Sequence, residues 1–178
     1  TEGKCGEEAY YKLTDDGVLT IYGKGEIFEL SFDPIFPREN ESYGNDIKKV
    51  IIESGITSIG KYAFQYCINL ISVEIHDGVI SIEEGAFYEC GKLSSVILSE
   101  TITSIGKWAF GNCSSLASIK LPKFLTSIGC EAFRRSGLTT ITIPQGVTLI
   151  ENDTFRDCSE LSTVKLLGSV TSIGSNAF

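Results

Sequence analysis

The stretch Ile102-Thr103-Ser104-Ile105-Gly106-Lys107-Trp108-Ala109-Phe110-Gly111-Asn112-Cys113 decides the fold, because the chain repeats its plan on both sides. Its phenylalanine recurs as Phe64, Phe87, Phe110, Phe133, Phe155 and Phe178, at spacings of 23, 23, 23, 22 and 23 residues. Directly before it stand Ala63, Ala86, Ala109, Ala132, Thr154 and Ala177, and five residues before it Ile59, Ile82, Ile105, Ile128, Ile150 and Ile173. The other half of the unit opens with Ile47, Leu70, Leu93, Leu116, Leu138 and Leu161. Three residues on come Val50, Val73, Val96, Ile119, Ile141 and Val164, then after two more Ile52, Ile75, Leu98, Leu121, Ile143 and Leu166. The one deletion falls in the fourth unit, at Arg134-Arg135-Ser136-Gly137-Leu138, and marks a loop. A unit this short cannot enclose a core of its own, so the units must stack as coils and share one.

Within a coil, Val73-Glu74-Ile75 alternates in, out, in, which is strand geometry. Its β-branched content agrees. Stacking turns these stretches into a parallel sheet with strands about 4.8 Å apart. The run Ile102-Thr103-Ser104-Ile105-Gly106 predicts a second short extended segment. The residues from Lys107 to Cys113 predict a single helical or 3₁₀ turn, with the alanine allowing close approach and the phenylalanine filling the interior. The chain therefore reads as a β-rich solenoid of about six coils of 23 residues, with a parallel sheet and short helical turns.

Residues 1–46 do not follow the repeat. Tyr10-Tyr11-Lys12-Leu13, the turn Thr14-Asp15-Asp16-Gly17 and Val18-Leu19-Thr20-Ile21 predict a β-hairpin that covers the first coil. The expected organisation is an N-terminal β cap over 1–46, its end a loop from Asp33-Pro34-Ile35-Phe36-Pro37 to Gly44-Asn45-Asp46, and repeats over 47–178. The pattern stops inside a unit at Phe178 without a C-terminal cap, so a longer native chain is expected.

The signature L-x-x-[VI]-x-[IL] followed by [VI]-T-S-I-G-x-x-A-F-x-x-C-x-x-L, at a period of 23, resembles the BspA-like class of leucine-rich repeats. Cys5-Gly6-Glu7 and Val18-Leu19-Thr20-Ile21-Tyr22-Gly23-Lys24-Gly25 are similar to the segment that often precedes those repeats. The resemblance covers nearly the whole chain. It implies a leucine-rich-repeat array, a secreted or surface-exposed location, and adhesion to host or extracellular matrix proteins or to other microbial surface proteins. The departures are Ser136 for the cysteine of the fourth coil, and Glu83 and Glu151 for the glycine of the second and fifth.

The formal charge of −8 is uneven. Residues 1–46 carry eleven acids and four bases, whereas residues 47–178 carry twelve acids and eleven bases. An acidic first quarter repels phosphate backbones and anionic lipid heads, so no nucleic-acid partner is expected. No apolar run approaches the roughly 18 residues of a membrane span, so no direct membrane insertion is expected of this chain. No catalytic constellation stands out. The single histidine, His76, has only Glu74 nearby, and both are expected to face solvent. No Cys-x-x-Cys pair exists, and zinc needs about four converging ligands, so no metal or other cofactor is expected. Cys67, Cys90, Cys113 and Cys158 read as a ladder of small buried thiols, with Cys130 exposed. Three glycosylation sequons begin at Asn40, Asn112 and Asn152.

The candidate partner-binding residues lie on the outward side of the first strand: Ile51, Glu74, Ile97, Lys120, Thr142 and Lys165, one per coil, with His76 beside them. Ile51 and Ile97 are apolar where alternation predicts polar side chains, which marks a contact site. The expected function is a non-enzymatic, adhesin-like interaction protein binding through this face. The alternative is a carbohydrate-binding module, with Tyr62 and Trp108 as stacking platforms, or a spacer in a larger surface protein. The serine column Ser58, Ser81, Ser104, Ser127 and Ser172 is expected to satisfy backbone groups between coils.

Overall fold

A computed structural model describes residues 1–28 and 46–178. The expected loop and the sequon at Asn40 lie outside the described residues. The alternating stretches become parallel strands: β4 (Lys49–Ile52), β6 (Ser72–Ile75) and β8 (Ser95–Ile97) pair with equivalent residues opposite one another. The second extended segments do the same as β5 (Ile56–Ile59), β7 (Ser81–Ile82), β9 (Ser104–Ile105) and β10 (Ser127–Ile128). Each coil thus presents two strand faces and one turn side.

The predicted hairpin forms between β2 (Glu8–Leu13) and β3 (Val18–Ile27), with β1 (Glu2–Lys4) added antiparallel to β2. It does more than cover an end. The first half of β3 pairs in parallel with β4 and its second half with β5, shifting register between Gly25 and Glu26. One continuous strand therefore occupies both strand positions of a coil, and Leu19, Ile21 and Ile27 fill inward columns at 1% exposure or less.

One apolar cluster runs from Cys5 to Ala177. The phenylalanines stack along it with ring centroids 5.2, 5.3, 5.6, 5.6 and 5.5 Å apart and planes within 12°. That spacing lies in the range where aromatic pairs attract beyond simple area burial. Cys90, Cys113 and Cys158 donate their thiols to the carbonyls of Phe64, Phe87 and Phe133 in the preceding coil, at 3.1, 3.3 and 3.0 Å. Ser136 keeps the column polar in the fourth coil and shares a hydrogen bond with Cys158. Burial pushes the Cys67 and Cys113 thiols up to about 12, which favours their neutral form. Cys130 is half-buried.

The expected helical turn is absent. The residues before and after each phenylalanine form successive i→i+3 turns, as in Ala63 N–H to Gly60 C=O and Cys67 N–H to Phe64 C=O. The third residue of each such turn has a left-handed backbone: Tyr62 (φ 54°) and Tyr66 (φ 61°), then Trp108 and Asn112, Glu131 and Arg135, and Asp153 and Asp157 in later coils. Alternate N–H groups point across the stack, so Tyr62, Phe64 and Tyr66 donate to Glu84, Ala86 and Tyr88 of the next coil. A helix would turn every N–H inward along one coil. This geometry splits them between the coil and its neighbour, which is why the turn side is bonded as continuously as a sheet. In the second coil the position of Tyr62 is taken by Gly85, where an added Cβ would collide with the Tyr62 ring.

The hydroxyls that satisfy backbone carbonyls on the second-strand side of the neighbouring coil are not those of the expected column. Thr103, Thr126 and Thr171 donate to the carbonyls of Ile80, Thr103 and Thr148, one residue earlier in the unit than the Ser58 column. Ser81 itself bonds Ser58 and Glu83.

Candidate interaction surface

The outward column of the first strand is built by the pleat. With Val50, Ile52, Val73 and Ile75 at 2% exposure or less, the residues between them must point away from the core. Ile51, Glu74 and Ile97 stand in register on adjacent strands, as do Thr142 and Lys165 on β11 (Thr140–Ile143) and β13 (Thr163–Leu166). Ile97 is 59% exposed and Ile51 partly so. Glu74 accepts from His76 Nε2 at 3.0 Å and pairs with Lys49 Nζ at 3.1 Å. The His76 hydrogen bond first, and the Lys49 bond second, hold its carboxyl below the usual carboxylate range. His76 is exposed at the strand end. The face thus begins as an apolar pair of isoleucines around one internally compensated charge cluster.

Lys120 is the exception to the predicted column. It lies on no strand, because the ladder ends at β8 and resumes only at β11. Among the described residues, no neighbouring backbone accepts from the N–H groups of residues 118–121. The core shows the same opening: Val96 and Leu98 are only partly buried, and Ile119 and Leu121 reach 8% and 7% exposure. The second strand face parts one coil later. There β12 (Leu149–Ile150) pairs with β14 (Ser172–Ile173) and not with β10.

Two prolines mark this seam. In the column just after the strand, Glu53 N–H donates to Ile21, His76 N–H to Ile52 and Leu167 N–H to Ile143. The fourth and fifth coils have Pro122 and Pro144 there, which carry no N–H. Neither can tie its strand end to the coil before it, and among the described residues Ser99 in the third coil makes no such backbone bond either, so this column does not close the ladder from the third to the fifth coil. The pattern was present in the sequence, where Pro122 stood in the column of Glu53, His76 and Ser99. The signal to seek was a lost donor at a position with no other distinctive chemistry.

The opening is a cleft of about 590 Å³ lined by Ile119, Leu121, Ile141, Pro144 and Leu167, with Lys120, Lys123 and Glu100 at its edge. Glu100 holds Lys120 Nζ at 3.0 Å and accepts the Lys123 backbone N–H at 2.9 Å. That backbone bond first, then the Lys120 bond, lowers the pKa of the Glu100 carboxyl. The Lys123 ammonium lies 4.5 Å from the Phe124 ring centroid. Of the predicted residues, Lys120 and Thr142 border the cleft, Ile51, Glu74, His76 and Ile97 lie on the coils before it, and Lys165 on the coil after.

On the turn side, Tyr66, Tyr88 and Trp108 form a second run of aromatic rings, 6.2 and 6.0 Å apart. Trp108 is not an open platform, because Lys107 Nζ sits 3.9 Å over its ring. Burial raises the Glu131 carboxyl, but hydrogen bonds from Trp108 and Arg134 outweigh it and leave the pKa lowered. Tyr62 packs on the Gly85 position and is not part of this run. The Asn112 amide donates to Glu89 and Tyr88, and Asn152 Oδ1 accepts from Ser175 N–H, so both described sequon asparagines are engaged within the stack. Among the described residues, no group of three histidine, cysteine or acidic side chains converges as a metal site, and no helix is long and apolar enough to cross a membrane.

The profile described as BspA type leucine-rich repeat region matches in six copies over residues 39–159. No curated protein matches. Among solved structures, the chain is similar to a leucine-rich repeat protein from Eubacterium ventriosum, at 30% identity and a TM-score of 0.80, covering 96% of this chain and 45% of that one. It is similar to a leucine-rich cell surface protein from Faecalibacterium prausnitzii at 27% identity and 0.67, covering 97% and 50%. A leucine-rich repeat protein of T. pallidum matches at 26% identity and 0.69, covering 92% and 82%. The chain spans about half the length of the first two of these structures.

Proposed function

The chain belongs to the BspA type leucine-rich repeat family, and from that premise we propose that it is a non-enzymatic, adhesin-like protein of the bacterial surface or surroundings. It binds host or matrix proteins through the outward column of its first strand. The observation that carries this reading is the in-register column of Ile51, Glu74 and Ile97, which sets outward isoleucines on the first and third coils of a rigid ladder with Glu74 between them. Isolated exposed aliphatics are ordinary, but aligned on one face they form a patch. A solenoid offers such a face at low entropic cost, since the stack already holds it in place.

The name of the F. prausnitzii relative supports a surface location. The test is solid-phase binding of the chain to immobilised fibronectin, laminin and collagen, repeated with an Ile51→Asp/Ile97→Asp variant. Saturable binding that falls about tenfold or more in the variant is expected. Binding unchanged by the variant would remove this face from the reading.

A further inference from the structure

The seam at the fourth coil supplies three kinds of contact in one place. Its floor is apolar, from Ile119, Leu121, Ile141, Pro144 and Leu167. Its wall is the backbone of residues 118–121, whose N–H groups no neighbouring strand takes up. Its edge is cationic: Lys120, Lys123 and Lys165 lie on or beside it, against one carboxylate, Glu100, on a chain whose net charge is −8. Among the described residues, neither Lys123 nor Lys165 is in an ion pair. A volume of about 590 Å³ is in the range of binding clefts rather than surface roughness.

We propose that this seam binds a short extended peptide segment carrying alternating aliphatic and carboxylate side chains. The inference rests on the reading of the sheet face as an interaction surface, and it names the occupant and the place. Each feature selects for that occupant. Open backbone donors recognise an extended main chain, as in strand addition. The floor takes the aliphatic side chains. The lysines attract carboxylates and disfavour a basic partner, which fits an otherwise acidic protein least well of all on this spot. A sugar is a poorer fit, because no aromatic ring lines the cleft.

The test uses fluorescence anisotropy of the intact 178-residue chain with a fluorescein-labelled peptide of alternating Glu and Val, and with its Lys-Val counterpart. The acidic peptide should bind saturably and at least about tenfold more tightly than the basic one. A Lys120→Glu/Lys123→Glu variant, whose altered side chains are exposed, should reverse that order while its thermal melt stays in place. Leu167→Asp, at a position 54% exposed, should weaken the acidic peptide about fivefold or more without unfolding the chain. Equal binding of both peptides, or a Lys120→Glu/Lys123→Glu variant that keeps the original preference, would overturn the proposal. Binding to matrix protein that Ile51→Asp/Ile97→Asp abolishes, with no peptide bound at the seam, sinks the seam and leaves the wider reading standing. Absence of both bindings sinks both.

Discussion

The turn side and the sheet side of this solenoid are made by the same repeats, yet only one of them is continuous. On the turn side the phenylalanine stack runs through every coil with ring spacings between 5.2 and 5.6 Å. Cross-coil backbone bonds accompany it without a break from Phe64 to Ala177, including Phe133 to Thr154 and Phe155 to Ala177. On the sheet side the ladder opens at the fourth coil. The stack therefore holds by one edge where the other parts. Packing needs only the right volume in a column. A ladder also needs an N–H that meets a carbonyl at each step; in the column after the strand two prolines withdraw the N–H and that of Ser99 makes no such bond. The proposed binding site lies where that second requirement fails.

The comparison breaks most severely at the rings. Phe110→Ala removes a fully buried ring from between two others and should cost about 3–5 kcal/mol in urea unfolding. A change under about 1 kcal/mol would mean that the turn side does not carry the array. The sheet side can be opened by design. His76 donates its N–H to Ile52 at 2.9 Å, in the column that holds Pro122 and Pro144. His76→Pro should cost about 1–3 kcal/mol through the unsatisfied Ile52 carbonyl. It should also speed exchange of neighbouring β6 amides, while His76→Ala stays within about 0.5 kcal/mol. If the proline variant matched the alanine variant, the two natural prolines would not explain the seam. The smallest effect tests the turn geometry. Arg135 has φ 53°, a backbone that glycine adopts freely and a β-branched residue resists. Arg135→Gly should be more stable than Arg135→Val by about 1–2 kcal/mol. Equal stabilities would argue for a right-handed turn there.

Much of the architecture was legible because it rests on column chemistry. Phe110 had to be buried, since a ring repeating at every coil can be hidden only by its own neighbours. The alternation at Val73-Glu74-Ile75 fixed which side chains face out, and Ile51, Glu74 and Ile97 are found in register as that pleat requires. The sequence reads as a helical turn because, apart from Gly85, its left-handed positions carry Tyr, Trp, Glu, Asn, Arg and Asp rather than the glycine that usually announces such a backbone. Cross-coil hydrogen bonds hold those residues in place, and a single coil contains no trace of them. Lys120 falls outside the ladder for a related reason: residues 118–121 have the alternation of a strand, but strand pairing depends on donors and acceptors of two coils meeting.

The sequence alone determined the period, the inward columns, the hairpin before the first coil and the family. Each of these follows from the identity of side chains at fixed spacing, which decides what must leave water. The tertiary structure decided where the ladder stays closed, that β3 already serves as the first rung, and that a cleft opens beside Lys120 and Thr142. Those outcomes depend on whether an N–H meets a carbonyl on a different coil. That is a relation between segments about 23 residues apart, and it is set by how the coils come to rest on one another.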